Sequence, residues 1–329
     1  MSTVVKNVVY EKWPVSDVTK NLFKRLNALQ HIPTETPKSI SFELHNTTTE
    51  FANGLKRCIN SEIPVLILKF DSGDLSTNDN FIICDEIQKR ISLIAIRQIS
   101  NVVFAIDVEN KTDMIIPVFS REIKEVTDSK KKNNEKMFSA TNIICYLRPG
   151  KRFKINNIYV KSGTSYENGV AHSFPGKVEY RCIDEKEFKK SSLESNPTAY
   201  RLVIPRQKFV DPKYIILLAL STLTKKLNTI EAHVNNSNME SFYSMSTVEI
   251  TRLSQKTIYA LHLETYTIGN MLFKYGLMVD PTIKNIHCTK LHPSHTFINL
   301  EIEHPDPKSI ILSAIELIKK EIKNVETAF

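Results

Sequence analysis

Residues 39–70, SISFELHNTTTEFANGLKRCINSEIPVLILKF, leave the backbone few choices. Ile40, Phe42 and Leu44 alternate with Ser41, Glu43 and His45, which is the period of a strand with one apolar face. Thr47 stands three residues before Glu50, the spacing at which a hydroxyl caps a backbone N–H and a carboxylate reaches back to the cap residue. A helix is expected to begin there. At about 100° per residue Phe51, Ala52, Leu55, Cys58, Ile59 and Ile63 share one arc of that helix, and Asn53, Lys56, Arg57 and Asn60 fall opposite. Pro64 bars continuation and biases Ile63 towards extended backbone, so Val65, Leu66, Ile67 and Leu68 read as a buried strand. The unit is strand, helix, strand, with one helix face turned inward and the other left free.

The same order returns near the other end. Residues 257–263 alternate as a strand, Thr265 or Thr267 is placed to cap a helix carrying Ile268, Leu272 and Tyr275, and 283–290 and 296–303 read as strands around the turn Leu291-His292-Pro293-Ser294-His295. Each copy closes on a long helix headed by Asp-Pro. Asp211-Pro212 precedes Ile216, Leu220, Leu223 and Leu227, and Asp306-Pro307 precedes Ile311, Ala314, Ile315, Ile318 and Ile322. Inside the first copy, strands are expected at 101–108, 114–119, 141–147, 151–161 and 176–183, with Pro149-Gly150 as a turn. This insert is mostly β and too large for a loop.

The expected division is an extension over 1–38, a first half from 39–70 and 196–234, an insert over 71–195, a polar linker over 235–249 and a second half over 250–329. Within the extension, Val4, Val5, Val8 and Val9 mark an extended stretch, a helix is expected over 16–29 and a loop over 31–37. The fold class is α+β. A small half with a bare sheet face and a long apolar helix cannot bury both alone, so the halves are expected to pair within the chain as a pseudo-twofold unit. The residues expected between them are Phe51, Leu55, Ile59, Leu220, Leu227, Ile268, Gly269, Leu272, Ile315 and Ile318. Gly269 suits a close helix approach or unusual dihedrals.

With 329 residues, 41% hydrophobic and 24% charged, the composition is that of an ordinary globular chain of two or three domains. A net charge of +8 suits a neighbouring polyanion, but Lys130-Lys131-Lys132 reads as a solvated loop. No apolar run reaches the roughly 18 residues of a membrane span and the first ten residues lack a secretory signal, so a soluble intracellular chain is expected. Cys58, Cys84, Cys145, Cys182 and Cys288 lie far apart, which suits neither a disulfide framework nor a CxxC metal knuckle.

Asn46, the run Ala52-Asn53-Gly54-Leu55-Lys56-Arg57, Glu62-Ile63-Pro64 and, farther on, Asp85-Glu86, Lys89-Arg90-Ile91 and Leu93-Ile94-Ala95-Ile96 resemble the signature of the alpha-like assembly subunits of multisubunit RNA polymerases. Ser120-Arg121-Glu122-Ile123, Leu147-Arg148-Pro149-Gly150-Lys151 and Lys161-Ser162-Gly163 with Ala171-His172 also look like family positions. LETYTIGN at 263–270, with Leu291-His292-Pro293 downstream, resembles the motif of the small partner subunit, Tyr266 standing where that motif usually has histidine. Cellular polymerases carry these signatures on separate proteins, the third and eleventh subunits of RNA polymerase II and the archaeal D and L subunits. This chain is similar to both joined in tandem, an arrangement resembling that of certain large DNA viruses of eukaryotes. The resemblance implies a pseudo-heterodimer of large and small alpha-like halves. It also implies a non-catalytic platform that docks the largest and second-largest polymerase subunits, with small bridging subunits as further candidates. The β-like partner would be met by Asn53, Lys56, Arg57 and Asn60. Neither a specific DNA contact nor a membrane is implied, and a viral source would place the chain in the host cytoplasm and the virion, with the nucleus as a further site. Some relatives carry a cysteine-ligated metal site in the insert; only Cys84 lies near, so that site is expected to be missing.

No phosphate loop, GxSxG elbow, HExxH helix or DxDxD cluster is present, and eight glycines leave little room for phosphate-binding loops. No catalytic residue and no cofactor are expected. Cys288, His292 and His295, beside His287, have metal-like spacing, but a turn between two strands explains them and a fourth ligand is not evident. Glu62 is expected to bond to backbone or to a basic neighbour. The competing readings are a stand-alone basic nucleic-acid-binding protein, which predicts salt-sensitive DNA binding, and an enzyme built in the insert.

Overall fold

A computed structural model describes residues 3–12, 38–94, 96, 102–126, 141–164, 178–183, 198–205, 211–235, 248–253, 256–262, 264–283 and 285–329. The helix expected over 16–29, the loop over 31–37, Ala171-His172 and most of the linker lie outside them. In chain order the first elements are β1 (Val4–Lys12), β2 (Lys38–His45), α1 (Thr49–Ser61), β3 (Val65–Lys69), β4 (Leu75–Thr77), α2 (Cys84–Ser92), β5 (Val103–Glu109), β6 (Ile116–Phe119) and β7 (Lys124–Glu125). There follow β8 (Ile143–Leu147), β9 (Arg152–Gly163), β10 (Glu179–Cys182), β11 (Ala199–Ile204), α3 (Pro212–Asn235), β12 (Val248–Arg252), β13 (Thr257–His262), α4 (Tyr266–Val279), β14 (Asn285–Thr289), β15 (Phe297–Glu303) and α5 (Pro307–Glu326). The protein is mixed α and β, as expected.

Two antiparallel four-stranded sheets run β1-β2-β11-β10 and β12-β13-β15-β14. In the first, Ile40, Phe42 and Leu44 lie opposite Ile204, Leu202 and Tyr200, so one face is apolar from strand to strand. The extended stretch near the start of the chain is β1, paired along β2. Because β2 is flanked on both sides, Ser41 is only 1% exposed although it stands on the polar side. Strand β12 was not expected as an element; it pairs with β13 at the edge of the second sheet.

Two features of the opening unit differ from expectation. The N-cap of α1 is Thr48, whose hydroxyl accepts the Phe51 N–H at 3.1 Å, and not Thr47. Thr47 is drawn instead into a contact with α5, described below. Strand β3 does not join the sheet of β2, since both edges of β2 are taken by β1 and β11. It pairs with β9 in the insert, whereas β10, expected within the insert, pairs with β11 in the first sheet.

A continuous apolar core runs from the first sheet through α1 and α3 to α4, α5 and the second sheet. Burying Phe51, Leu55 and Ile59, all at zero exposure, contributes about 1.5–3 kcal/mol each. A separate core fills the insert, where Leu68, Ile87, Ile91, Phe104, Phe153 and Ile158 meet. Its rim is tied by Asp79, which is buried and accepts the Arg148 Nη2 at 2.6 Å and the Phe81 N–H at 3.1 Å, while the Arg148 guanidinium stacks 4.1 Å over Phe81. The Arg148 hydrogen bonds hold the Asp79 carboxyl below the usual aspartate range. Its stabilising effect is therefore present above the unfolded pKa of about 3.9 and lost as the pH falls through the lower folded value. Asp79→Asn is expected to lower stability at pH 7 by about 1 kcal/mol, the net worth of a hydrogen bond, and to flatten the acid limb of a stability–pH curve.

Candidate partner interface

Helix α1 presents two faces of opposite character. On the outer face Arg57 is exposed and bonds to no described residue. Lys56 is half-buried with its ammonium 5.5 Å from the Tyr180 ring of β10. Asn60 accepts the Val178 N–H at 3.2 Å, and Asn53 is half-buried. The four residues predicted for partner contact thus share one face, but Lys56 and Asn60 also hold the chain that leads into β10. Arg57 is the exposed one of the four.

The inner face is closed. Phe51, Leu55, Ile59, Leu220, Leu227, Ile268, Leu272, Ile315 and Ile318 are all buried in the shared core. The helices come close through glycine. A Cβ on Gly54 would lie 2.9 Å from Met271 Cε of α4, so the close approach between α1 and α4 occurs at this position. Gly269, also buried, serves a different approach: its Cβ would lie 2.3 Å from Ile298 Cδ1 and 2.5 Å from Cys288 Sγ, so it seats α4 on the second sheet.

A buried polar contact brackets α1 at each end. At its C-terminal end Lys226 of α3 sits between two carboxylates, 3.2 Å from Glu62 and 2.9 Å from Glu264, whose side chains are 2% and 0% exposed. Burial works against the Lys226 ammonium, but attraction to Glu264 and Glu62 outweighs it and holds the lysine above its ordinary range. Glu62 therefore meets a basic neighbour, and the same lysine ties it to the second motif. At the N-terminal end Glu321 of α5 accepts the Thr47 hydroxyl at 2.5 Å and the Tyr275 hydroxyl of α4. Burial raises the Glu321 carboxyl, the Thr47 and Tyr275 hydroxyls partly offsetting it.

Sequence reasoning passed over Lys226, Glu264, Glu321 and the role of Thr47. A signal was there. Lys226 interrupts the arc of Leu223, Leu227 and Ile230, and Glu321 interrupts that of Ile318, Ile322 and Val325. A lone charge within an apolar arc points to a buried partner, because burying it unpaired is costly.

Cys288 faces Gly269, and burial lifts its thiol to about 11. His292 lies in the exposed turn, its Nδ1 2.6 Å from Ser294 Oγ, with its ring 5.8 Å from that of His295. Among the described residues no group of three or more histidine, cysteine or acidic side chains is placed to hold a metal ion. Among them, too, no helix is long and apolar enough to cross a membrane.

No family model matches the chain. It is similar along its length to proteins called DNA-directed RNA polymerase RPB3-11 homolog in African swine fever virus. The homologue from a Namibian warthog isolate is 25% identical over 334 residues, covering 94% of this chain and 90% of its own. That from a Kenyan pig isolate is 25% identical over 335 residues with the same coverage. The two motifs, their order along one polypeptide and this full-length similarity agree in likening the chain to an RPB3/RPB11-type fusion subunit of a DNA-directed RNA polymerase.

Proposed function

We propose that this chain is the non-catalytic assembly platform of a DNA-directed RNA polymerase, an intramolecular pseudo-heterodimer on which the two large catalytic subunits dock. The first half is the sheet β1-β2-β11-β10 with α1 and α3, the second is the sheet β12-β13-β15-β14 with α4 and α5, and the insert stands apart on its own core. The observation that carries this reading is the division of α1. One face is sealed into a core shared by both motifs, and the other displays the polar and basic residues of the first motif. Rigid placement of a basic face suits a protein partner, because charge complementarity steers and registers docking. Small bridging polymerase subunits are further candidate partners, and the chain acts inside the host cell and is carried in the virion.

The experiment is capture of the second-largest, β-like subunit by the tagged full-length chain. Arg57→Glu is expected to leave the melting temperature unchanged, because the side chain is in solvent, and to reduce capture at least about tenfold through like-charge repulsion. Unimpaired capture removes Arg57 from the interface. Salt-sensitive binding of DNA by the isolated chain, lost with the same substitution, would favour the nucleic-acid reading instead.

A further inference from the structure

Two buried polar contacts cross between the halves, and they occupy corresponding places in them. Thr47 and Glu264 each stand immediately before the N-cap of the shorter helix, Thr48 for α1 and Thr265 for α4. Lys226 and Glu321 each stand 15 residues after the aspartate that heads the longer helix, Asp211 and Asp306. Glu264 takes the Lys226 ammonium at 2.9 Å, and Glu321 takes the Thr47 hydroxyl at 2.5 Å. The same pair of positions therefore meets twice, once in each direction. The chemistry differs. One contact sets a carboxylate before the cap against an ammonium on the long helix, and the other sets a hydroxyl before the cap against a carboxylate.

We propose that these two contacts form a pairing code, which accepts a first half against a second half and rejects two second halves. The inference rests on the reading of the halves as a pseudo-twofold pair. Two second halves joined in the same way would set Glu264 of each against Glu321 of the other, four buried carboxylates with no cation among them. Two first halves would set Thr47 against Lys226 and deprive that lysine of one of its two carboxylates. In the mixed pair each of these groups meets a complementary partner. Burial of aliphatic surface is non-directional, so among the apolar contacts described here it is the fit of Gly54 against Met271 that also depends on which half is present. The surface made by Glu264, Tyr275 and Glu321 thus fits a half that brings an ammonium from its long helix and a hydroxyl before its cap. Within one chain or between two copies of it, only a first half does so.

The test uses the full-length chain. Lys226→Glu gathers three carboxylates, and Glu264→Lys sets two ammoniums on Glu62. Each alone is expected to lower the melting midpoint by roughly 10 °C and to deplete the monomer on gel filtration. Combining the two in one chain restores two carboxylates around one ammonium and should recover at least about half of that loss, the rest being misfit of the exchanged side chains. Glu264→Arg with Lys226→Glu provides a second version with a longer reach. The two single variants, carrying different tags, are also expressed together. The first half of each then matches only the second half of the other, so the tags should co-purify as an exchanged dimer that neither chain gives alone. Recovery of the midpoint with co-purification supports the code. It is overturned if neither combined variant melts higher than Lys226→Glu, or if the two tags separate. All these readouts come from the purified chains, so they succeed or fail independently of β-like subunit capture.

Discussion

Lys226→Met is expected to lower the stability of the chain by about 3–5 kcal/mol, the penalty for removing one partner of a buried ion pair. The substitution keeps a flexible, unbranched side chain, one atom shorter, and deletes the charge, leaving Glu62 and Glu264 without the ammonium and with almost no access to water. Denaturation by urea should show a lower midpoint with an unchanged slope, since the same surface is exposed on unfolding. Adding Glu264→Met should return part of the loss by removing one stranded carboxylate. The pH dependence has a defined sign. In the parent, Lys226 titrates above its ordinary range, so its stabilising effect is fully present below about pH 10 and is lost only as the pH rises through the higher folded value. The parent is therefore flat in this contribution across pH 5–9. The variant lacks the ammonium, so its deficit against the parent should hold across that window. A Lys226→Met, Glu264→Met chain no more stable than Lys226→Met would mean that lost packing, not charge, dominates.

Gly269→Ala should destabilise the protein by about 1–3 kcal/mol, the usual range for overpacking. The sign is informative. Helix propensity alone favours alanine over glycine by about 1 kcal/mol, so a chain in which α4 merely needed to be helical would gain. Here the added methyl meets Ile298 Cδ1 and Cys288 Sγ, both on the sheet beneath. Ile298→Val deletes the nearer of those atoms and Cys288→Ala the other. The triple variant should therefore melt closer to the parent than Gly269→Ala does, which thermal unfolding by circular dichroism can read. At Gly54 the obstacle is the flexible tip of Met271, so Gly54→Ala should cost less.

Much of the architecture was legible because periodicity and caps are local properties. The arc of Phe51, Leu55 and Ile59, the Asp-Pro starts of both long helices and the Thr265 cap can be read from a few consecutive residues. Strand partners were less so. Nothing local to residues 65–69 says that β9 is their neighbour, since that depends on β1 having already filled the edge of β2. The cap was misplaced by one residue because Thr47, Thr48 and Thr49 offer the same hydroxyl, and a tertiary contact with Glu321 decides which of them turns away. The outer face of α1 was identified as polar, but its occupancy was not. Asn60 and Lys56 are engaged by segments more than a hundred residues distant in the chain, which no spacing rule reaches.

Between the last residue of α1 and the first of β3 lie only Glu62, Ile63 and Pro64. The first is clamped by Lys226, the second is buried and the third has a fixed φ. That junction is short and held at each of its three residues. A displacement of the insert would be passed through it to the end of α1, and so to the Glu62–Lys226–Glu264 cluster that joins α1, α3 and the turn before α4.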